Sequence, residues 1–396
     1  MNTTHLLGTP LLATRQKLSA LRNAREIHLE ASRGCNLDCI YCYGRKSENA
    51  KNLHMPLKVA CKYISIILRN TCSIDIEVVF HGGEPLLQSS SWYYNVIEFG
   101  SRVAKESGKQ LLFRMQSNCT LLDDDKLDLI REFRIMVGSS LDGPPAVNDL
   151  SRRQGALVIE NIQKLRKIGC SGGVICVINK HNYDKMKETM GFFHRERLQS
   201  VSLITGHCVG QGRSLGPLNP EMLFSAYRDV YTYFEDTMGK GTIETNIAGK
   251  LSRFVHPPSR EDFRDLLICS HPFCGAGITT IFCDIEGNLW PCGCSVANHV
   301  TKLANIDLIS DDEYIARAER FHEKPKRYFE ECGPCEAAKI CGFGCPAFDS
   351  IDKDTMLSEC EANKMFYCFL KEKERPLVAE IAKQLEERSH GRKSID

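Results

Sequence analysis

Neither sign of charge is in excess in this chain: 51 Lys and Arg stand against 50 Asp and Glu, a formal net charge of +1. That balance argues against a broad nucleic-acid or membrane footprint. No apolar run approaches the roughly 18 residues that a membrane span requires. The first twenty residues carry only a short apolar patch, broken by Gly8 and Pro10 and without a basic start. No signal peptide is therefore expected, and the protein is expected to be soluble and cytoplasmic. Internal repeats and low-complexity tracts are also lacking. The 396 residues, 42% of them apolar, suffice for one large domain plus a small one, or for two of medium size.

Cysteine, by contrast, is plentiful: there are 20. In a reducing compartment these are not expected to be disulfides. They cluster, and clustered cysteines in a reduced protein point to metal or iron–sulfur ligation. Three lie in RGCNLDCIYCYG (33–44), as Cys35, Cys39 and Cys42. Eleven lie between Cys269 and Cys368. The other six are scattered and read as small buried hydrophobes.

Short apolar runs alternate with amphipathic segments from about residue 26 to 235. The expected strands are 25–31, 74–80, 110–115, 134–140, 172–178 and 200–204. Helical segments start near Pro56, Ser91, Asp123, Gly155 and Asn182, and another follows Pro220. Six strand-then-helix units predict a parallel sheet with right-handed crossovers. Six are too few for a closed eight-stranded barrel, so the expected α/β fold is a partial (β/α)6 TIM-like barrel. An N-terminal arm (1–25) precedes it and a connector (236–268) follows. A small cysteine-rich domain (269–370) and a charged helical tail (371–396), fraying at RSHGRKSID, complete the expected organisation. DIEGNLWPC (284–292) reads as a hairpin, with its turn at Gly287–Asn288 and Cys292 on the returning strand.

The unusual residues all fall just after strands. RGCNLDCIYC follows the first, HGGEPLL (81–87) the second and QSNCTLL (116–122) the third. SLDGPP (140–145) ends the fourth, Asn179 follows the fifth and GHCVGQGR (206–213) the sixth. In barrel folds that face carries the chemistry.

Structural metal sites usually take four protein ligands, and an open position marks a catalytic site. Three thiolates can hold a 4Fe–4S cube by three of its irons. CNLDCIYC closely resembles the C-x3-C-x-φ-C signature of radical S-adenosylmethionine (SAM) enzymes. The resemblance implies that SAM chelates the open iron through its amino and carboxylate groups. SAM is then cleaved to methionine and a 5′-deoxyadenosyl radical, which takes a hydrogen atom from the substrate. By the same resemblance Tyr41 lies against the adenine. Gly82, Gly83 and Glu84 match the GGE motif that binds the amino group of SAM. Asn118 and Ser140 help position the ribose and the methionine part, and Arg152 or Arg153 pairs with the carboxylate. Cys119 stands where the family's Q-T-N-G stretch has glycine.

The later cysteines resemble the SPASM extension, an auxiliary-cluster domain of radical SAM enzymes that modify peptides and proteins. Cys274, twelve residues, Gly287, four residues and Cys292 are followed by Cys332-x2-Cys335-x5-Cys341-x3-Cys345 and then Cys360. The resemblance, which spans about residues 26–370, implies two auxiliary iron–sulfur clusters. Cys332, Cys335, Cys341 and Cys360 hold the outer one. Cys274, Cys292 and Cys345 hold the inner one with Cys269 as fourth ligand, Cys283 and Cys294 competing for that place. Cys368 is expected to be no ligand. Zinc is the alternative reading of C-x2-C, but zinc carries no electrons.

Three groups of enzymes share this layout: maturases of ribosomally made peptides, anaerobic sulfatase-maturing enzymes, and enzymes acting on small molecules. The sulfatase enzymes carry a basic aspartate after the YPC cysteine. Here Gly293 follows WPC and has no side chain to accept a proton. The expected activity is therefore oxidative crosslinking of a ribosomally made peptide, thioether or carbon–carbon, with formylglycine formation second. Only about 25 residues precede the first strand, so either a separate leader-binding protein presents the peptide or the barrel mouth binds it unaided. A flavodoxin- or ferredoxin-like electron donor is an expected partner. His207, Cys208 and Arg213 are the substrate-facing candidates. A non-catalytic electron carrier would need no vacant iron.

Overall fold

The structure, a computed structural model, describes residues 18–44, 53–257, 274–323, 328–332, 334–341, 344–349 and 351–393. Cys269, residues 258–268 of the expected connector and most of the expected 1–25 arm lie outside them.

Six strands run parallel, each paired with the next: β1 (Glu26–Ser32), β2 (Asp75–Gly82), β3 (Gln110–Ser117), β4 (Met136–Ser140), β5 (Ser171–Ile178) and β6 (Ser200–Thr205). A helix returns the chain after each. Three of these helices start where a side-chain oxygen accepts an otherwise unpaired N–H: Ser89 from Trp92, Asp123 from Lys126, and Asn219 from Met222 just before Pro220. Ile27, Leu29 and Ala31 of β1 and Ile76, Val78 and Phe80 of β2 pack with Tyr63, Ile64 and Val96 of the helices in the main core. Each such side chain contributes about 1.5–3 kcal/mol by its burial.

The sheet is wider than six strands. β7 (Ile243–Glu244) adds to β6, and β8 (Thr280–Cys283) adds in parallel to β1. β9 (Asn288–Trp290) and β10 (Ala304–Asn305) continue antiparallel, giving the order β10-β9-β8-β1-β2-β3-β4-β5-β6-β7. The cysteine-rich segment thus shares the barrel's sheet. The reason is the open barrel itself, which leaves the N–H and C=O groups along the β1 edge in need of partners. The hairpin turn also falls earlier than expected. The Gly287 N–H donates to the Asp284 carbonyl, Gly287 takes φ 81°, and Asn288 already opens β9. Cys292 lies beyond the strand, as the N-cap of the helix Gly293–Asn298. The terminal helix, Arg375–Lys393, runs through most of the stretch expected to fray. Of the six scattered cysteines Cys119, Cys170 and Cys176 are buried, whereas Cys72 is exposed and Cys61 and Cys208 are half-buried.

Alternate residues of a strand share a face. On the face turned from the helices β1 presents Glu26, His28 and Glu30. Beside them the register sets Glu77, Val79 and His81 of β2, then Arg114 and Gln116 of β3. A closed barrel fills its bore with branched apolar side chains. This bore is instead largely polar and charged.

Candidate active site

The loop from Arg33 to Gly44 leaves β1 and carries the first three cysteines. It folds back by a Cys42 N–H to Cys39 carbonyl bond and is pinned by the Ile40 N–H on the Ser151 carbonyl. Leu37, Cys39, Tyr41 and Val177 form a small apolar cluster, with Cys35, Ile40, Cys42 and Leu215 against it. Burial pushes the Cys39 thiol up to about 11, while the Arg152 cation pulls it down and the neighbouring Cys42 and Cys35 raise it further. Two donors are aimed at the sulfurs: Asn118 Nδ2 lies 3.8 Å from Cys35 Sγ and Arg152 Nη1 3.9 Å from Cys39 Sγ. Clustered soft thiols with N–H groups directed at sulfur fit an iron–sulfur cube.

The glycine loop after β2 closes over this loop. Gly83 N–H donates to the Ser32 carbonyl and Glu84 N–H to the Gly34 carbonyl, each at 2.8 Å. A Cβ on Gly83 would stand 2.3 Å from the Gly34 oxygen. Gly83→Ala must therefore push the two loops apart. Overpacking of this kind costs about 1–3 kcal/mol, so SAM affinity measured by equilibrium dialysis is expected to fall about tenfold or more. Glu84 is fully buried, and burial pushes its carboxyl up to about 7. Its oxygens accept from Leu86 N–H, Ser117 Oγ–H and Asn118 N–H, so it binds the β2 loop to the end of β3. Cys119 occupies the left-handed region, φ 59°, so the loop keeps a glycine-like shape with a cysteine in it.

Tyr41 points into the protein and donates to Asp142. Arg152 Nε donates to the other Asp142 oxygen at 3.1 Å, and its guanidinium lies over the Tyr41 ring at 5.2 Å. Arg153 is exposed. Ser140 Oγ accepts from Gln116 Nε2 at 3.1 Å on the bore side.

His207 stacks on Phe348 with ring centroids 3.6 Å apart, and its Nδ1 lies 3.0 Å from Asp352. Cys208 N–H donates to the same oxygen at 2.8 Å. The loop after β6 is thus held on the N-cap of the helix Lys353–Glu372, and Arg213 is exposed. Gly210, φ 58°, serves close approach: a Cβ there would stand 2.5 Å from the Cys42 oxygen.

Cys274, Cys292, Cys294 and Cys345 gather around Ala276, Phe321 and Ala347. A hydrogen bond from Cys294 holds the Cys292 thiol below its ordinary range. Cys283 is elsewhere, fully buried in the main core. Cys332, Cys335, Cys341 and Cys360 line one pocket with Lys364, and Cys368 is exposed. Among the described residues no three His, Cys, Asp or Glu side chains converge to hold a single metal ion.

Sequence reasoning missed several residues. Asp142 sits inside the quoted SLDGPP, and His81 heads HGGEPLL. His28 and His81 lie side by side on neighbouring strands, ring centroids 5.8 Å apart, with Phe282 of β8 against both. Burial pushes the His81 imidazole down to about 3, and its Nδ1 accepts from Gly82 N–H, which leaves the proton of the neutral ring on Nε2. The Glu-x-His-x-Glu alternation of β1 was the readable signal. Arg33 forks between Glu30 and Glu286, tying the cysteine loop to the β8–β9 turn.

These thiols and glycines lie together at the strand ends of a parallel partial barrel. Residues 29–193 match the model of the Radical SAM superfamily, so the chain carries a radical SAM domain, whose cofactors are a 4Fe–4S cluster and SAM. It is 22% identical over 369 residues to the cysteine-type anaerobic sulfatase-maturating enzyme of Clostridium perfringens strain 13, covering 85% of this chain and 93% of that one. The fold is shared with hexahistidine-tagged anSMEcpe with bound AdoMet: TM-score 0.73, 20% identity, 92% of this chain and 98% of that one. It is also shared with Streptococcus suis SuiB bound to its precursor peptide SuiA: TM-score 0.60, 15% identity, 84% and 74%. No helix among the described residues is long and apolar enough to cross a membrane.

Proposed function

We propose that this chain is a peptide maturase that forms an oxidative crosslink, thioether or carbon–carbon, in a ribosomally made peptide held in the polar bore. The bore carries the reading: its carboxylates, imidazoles, guanidinium and amide suit a polar chain. When bound, the site cluster and SAM supply a hydrogen-abstracting radical, and two auxiliary clusters supply an outlet for the surplus electron.

The chain's own residues do the rest. Cys35, Cys39 and Cys42 hold the site cluster, with Asn118 and Arg152 steadying the thiolate charge. Gly83 lets the β2 loop close on the cysteine loop, and Gln116 and Ser140 offer polar contacts below it. Cys332, Cys335, Cys341 and Cys360 hold the outer cluster. Cys274, Cys292 and Cys345 hold the inner one, with Cys269 or Cys294 fourth. His28 and His81 lie on the bore face, where they offer polar contacts to the substrate. A cytoplasmic setting with a flavodoxin- or ferredoxin-like donor suits such clusters.

Formylglycine formation is the second reading, and the match along nearly the whole sulfatase-maturating enzyme favours it. Against it stands Gly293, where a Cβ would lie 3.2 Å from the Phe282 ring. The test is the intact mass of short peptides encoded beside this gene, and of a sulfatase segment, after co-expression. Loss of hydrogen pairs that fragmentation places between two residues is the expected result; loss of a hydrogen pair from a single serine, or from a single cysteine together with exchange of its sulfur for oxygen, would favour formylglycine. No mass change in any of them, with no deuterium uptake from heavy water, would overturn the peptide reading.

A further inference from the structure

Behind the outer cysteines stand two buried cations without a carboxylate partner. Lys250 and Arg253 lie three apart on the helix Thr245–Val255, so they share a face. They are 8% and 7% exposed. Lys250 Nζ donates to Asn363 Oδ1 at 2.6 Å, and Asn363 Nδ2 reaches Cys341 Sγ at 3.5 Å. Arg253 Nη2 donates to the Ile340 carbonyl, next to Cys341, at 3.1 Å, and its buried Nε has no partner. Glu244 and Glu359 act on Lys250 only through space. The Glu244 oxygens are taken by the N–H groups of Leu203, Asn246 and Ile247. Among the described residues neither cation forms an ion pair. A buried charge left this way is costly, and it persists where something of opposite sign compensates it.

A cluster held by four thiolates is such a group, since its net charge is negative. We propose that Lys250 and Arg253 are the built-in counter-ions of the outer cluster and raise its reduction potential, making it an electron acceptor. The inference rests on the reading that Cys332, Cys335, Cys341 and Cys360 hold an iron–sulfur cluster. A nearby positive charge stabilises the more negative, reduced form. The couple transfers one electron, with no bond made or broken and no proton moved.

The test is an EPR-monitored redox titration of the reconstituted full chain, with iron counted on every sample. A Cys332→Ala/Cys335→Ala double variant, which leaves only two thiols at the outer site, identifies the outer signal by its loss. In Lys250→Met and in Arg253→Met the outer midpoint is expected to fall until the reduced-to-oxidised ratio at fixed potential drops about tenfold, about 59 mV for one electron. Lys250→Arg keeps the charge and should keep the midpoint. If Lys250→Met loads less iron, Lys250→Gln, which still donates to Asn363, replaces it. Full iron with unshifted midpoints overturns the counter-ion role alone. Unchanged iron in Cys332→Ala/Cys335→Ala overturns the cluster reading and the inference together.

Discussion

Cys39→Ala is expected to abolish SAM cleavage and to lower the iron content by about four atoms per chain. Cys39 is the most enclosed of the three loop cysteines, packed with Tyr41 and Val177 and faced by Arg152. Only three thiols serve this cluster, so losing one leaves too few to retain it, whereas the auxiliary sets are untouched. The measurement is 5′-deoxyadenosine by chromatography beside an iron assay on the same reconstituted sample. Cleavage at the wild-type rate would remove the assignment of the loop. A wild-type protein with no cleavage at all would point to a bare electron carrier.

Asp142→Ala is expected to cost about 3–5 kcal/mol of stability, read from denaturant unfolding, because it strands the buried Arg152 charge. Tyr41, Arg152 Nε at 3.1 Å and Val177 N–H at 2.9 Å all converge on this carboxylate, which is fully buried. Removing it also frees Arg152 to leave Cys39, so SAM cleavage should fall with stability. Asp142→Asn keeps an acceptor for Val177 and loses the charge, and should lie between. A loss under about 1 kcal/mol, the size of one ordinary hydrogen bond, would show that Arg152 finds its compensation elsewhere.

Much of this was legible from local pattern. The six long strands each offered enough alternation to be read, and the motifs fall where their ends fall. Of the remaining four only β9 was anticipated, as the returning strand of the 284–292 hairpin, because two to four residues carry too little period. Their pairing is also non-local: β8 reaches β1 from some 250 residues away. The same distance hid the partners of His207 and Cys208, since Asp352 lies 145 residues further on. Resemblance assigned Glu84 to the SAM amino group, yet three protein donors already occupy its oxygens. The buried cations behind Cys341 gave no sequence signal, because Lys250 and Arg253 fall in the stretch read as a connector, and their partners lie some 90 to 110 residues further on.

The Arg33 fork bears on the order in which the molecule is built. Its two carboxylate partners are separated by almost the whole barrel, Glu30 being three residues away and Glu286 253. The ribosome releases the three loop cysteines early, but the strand and the turn that brace them only after some two-thirds of the chain has been made. Until then the first strand has a bare edge, open to wrong pairing with any neighbouring chain. The thiols on the first strand's loop thus wait for a strand and a turn made some 250 residues later.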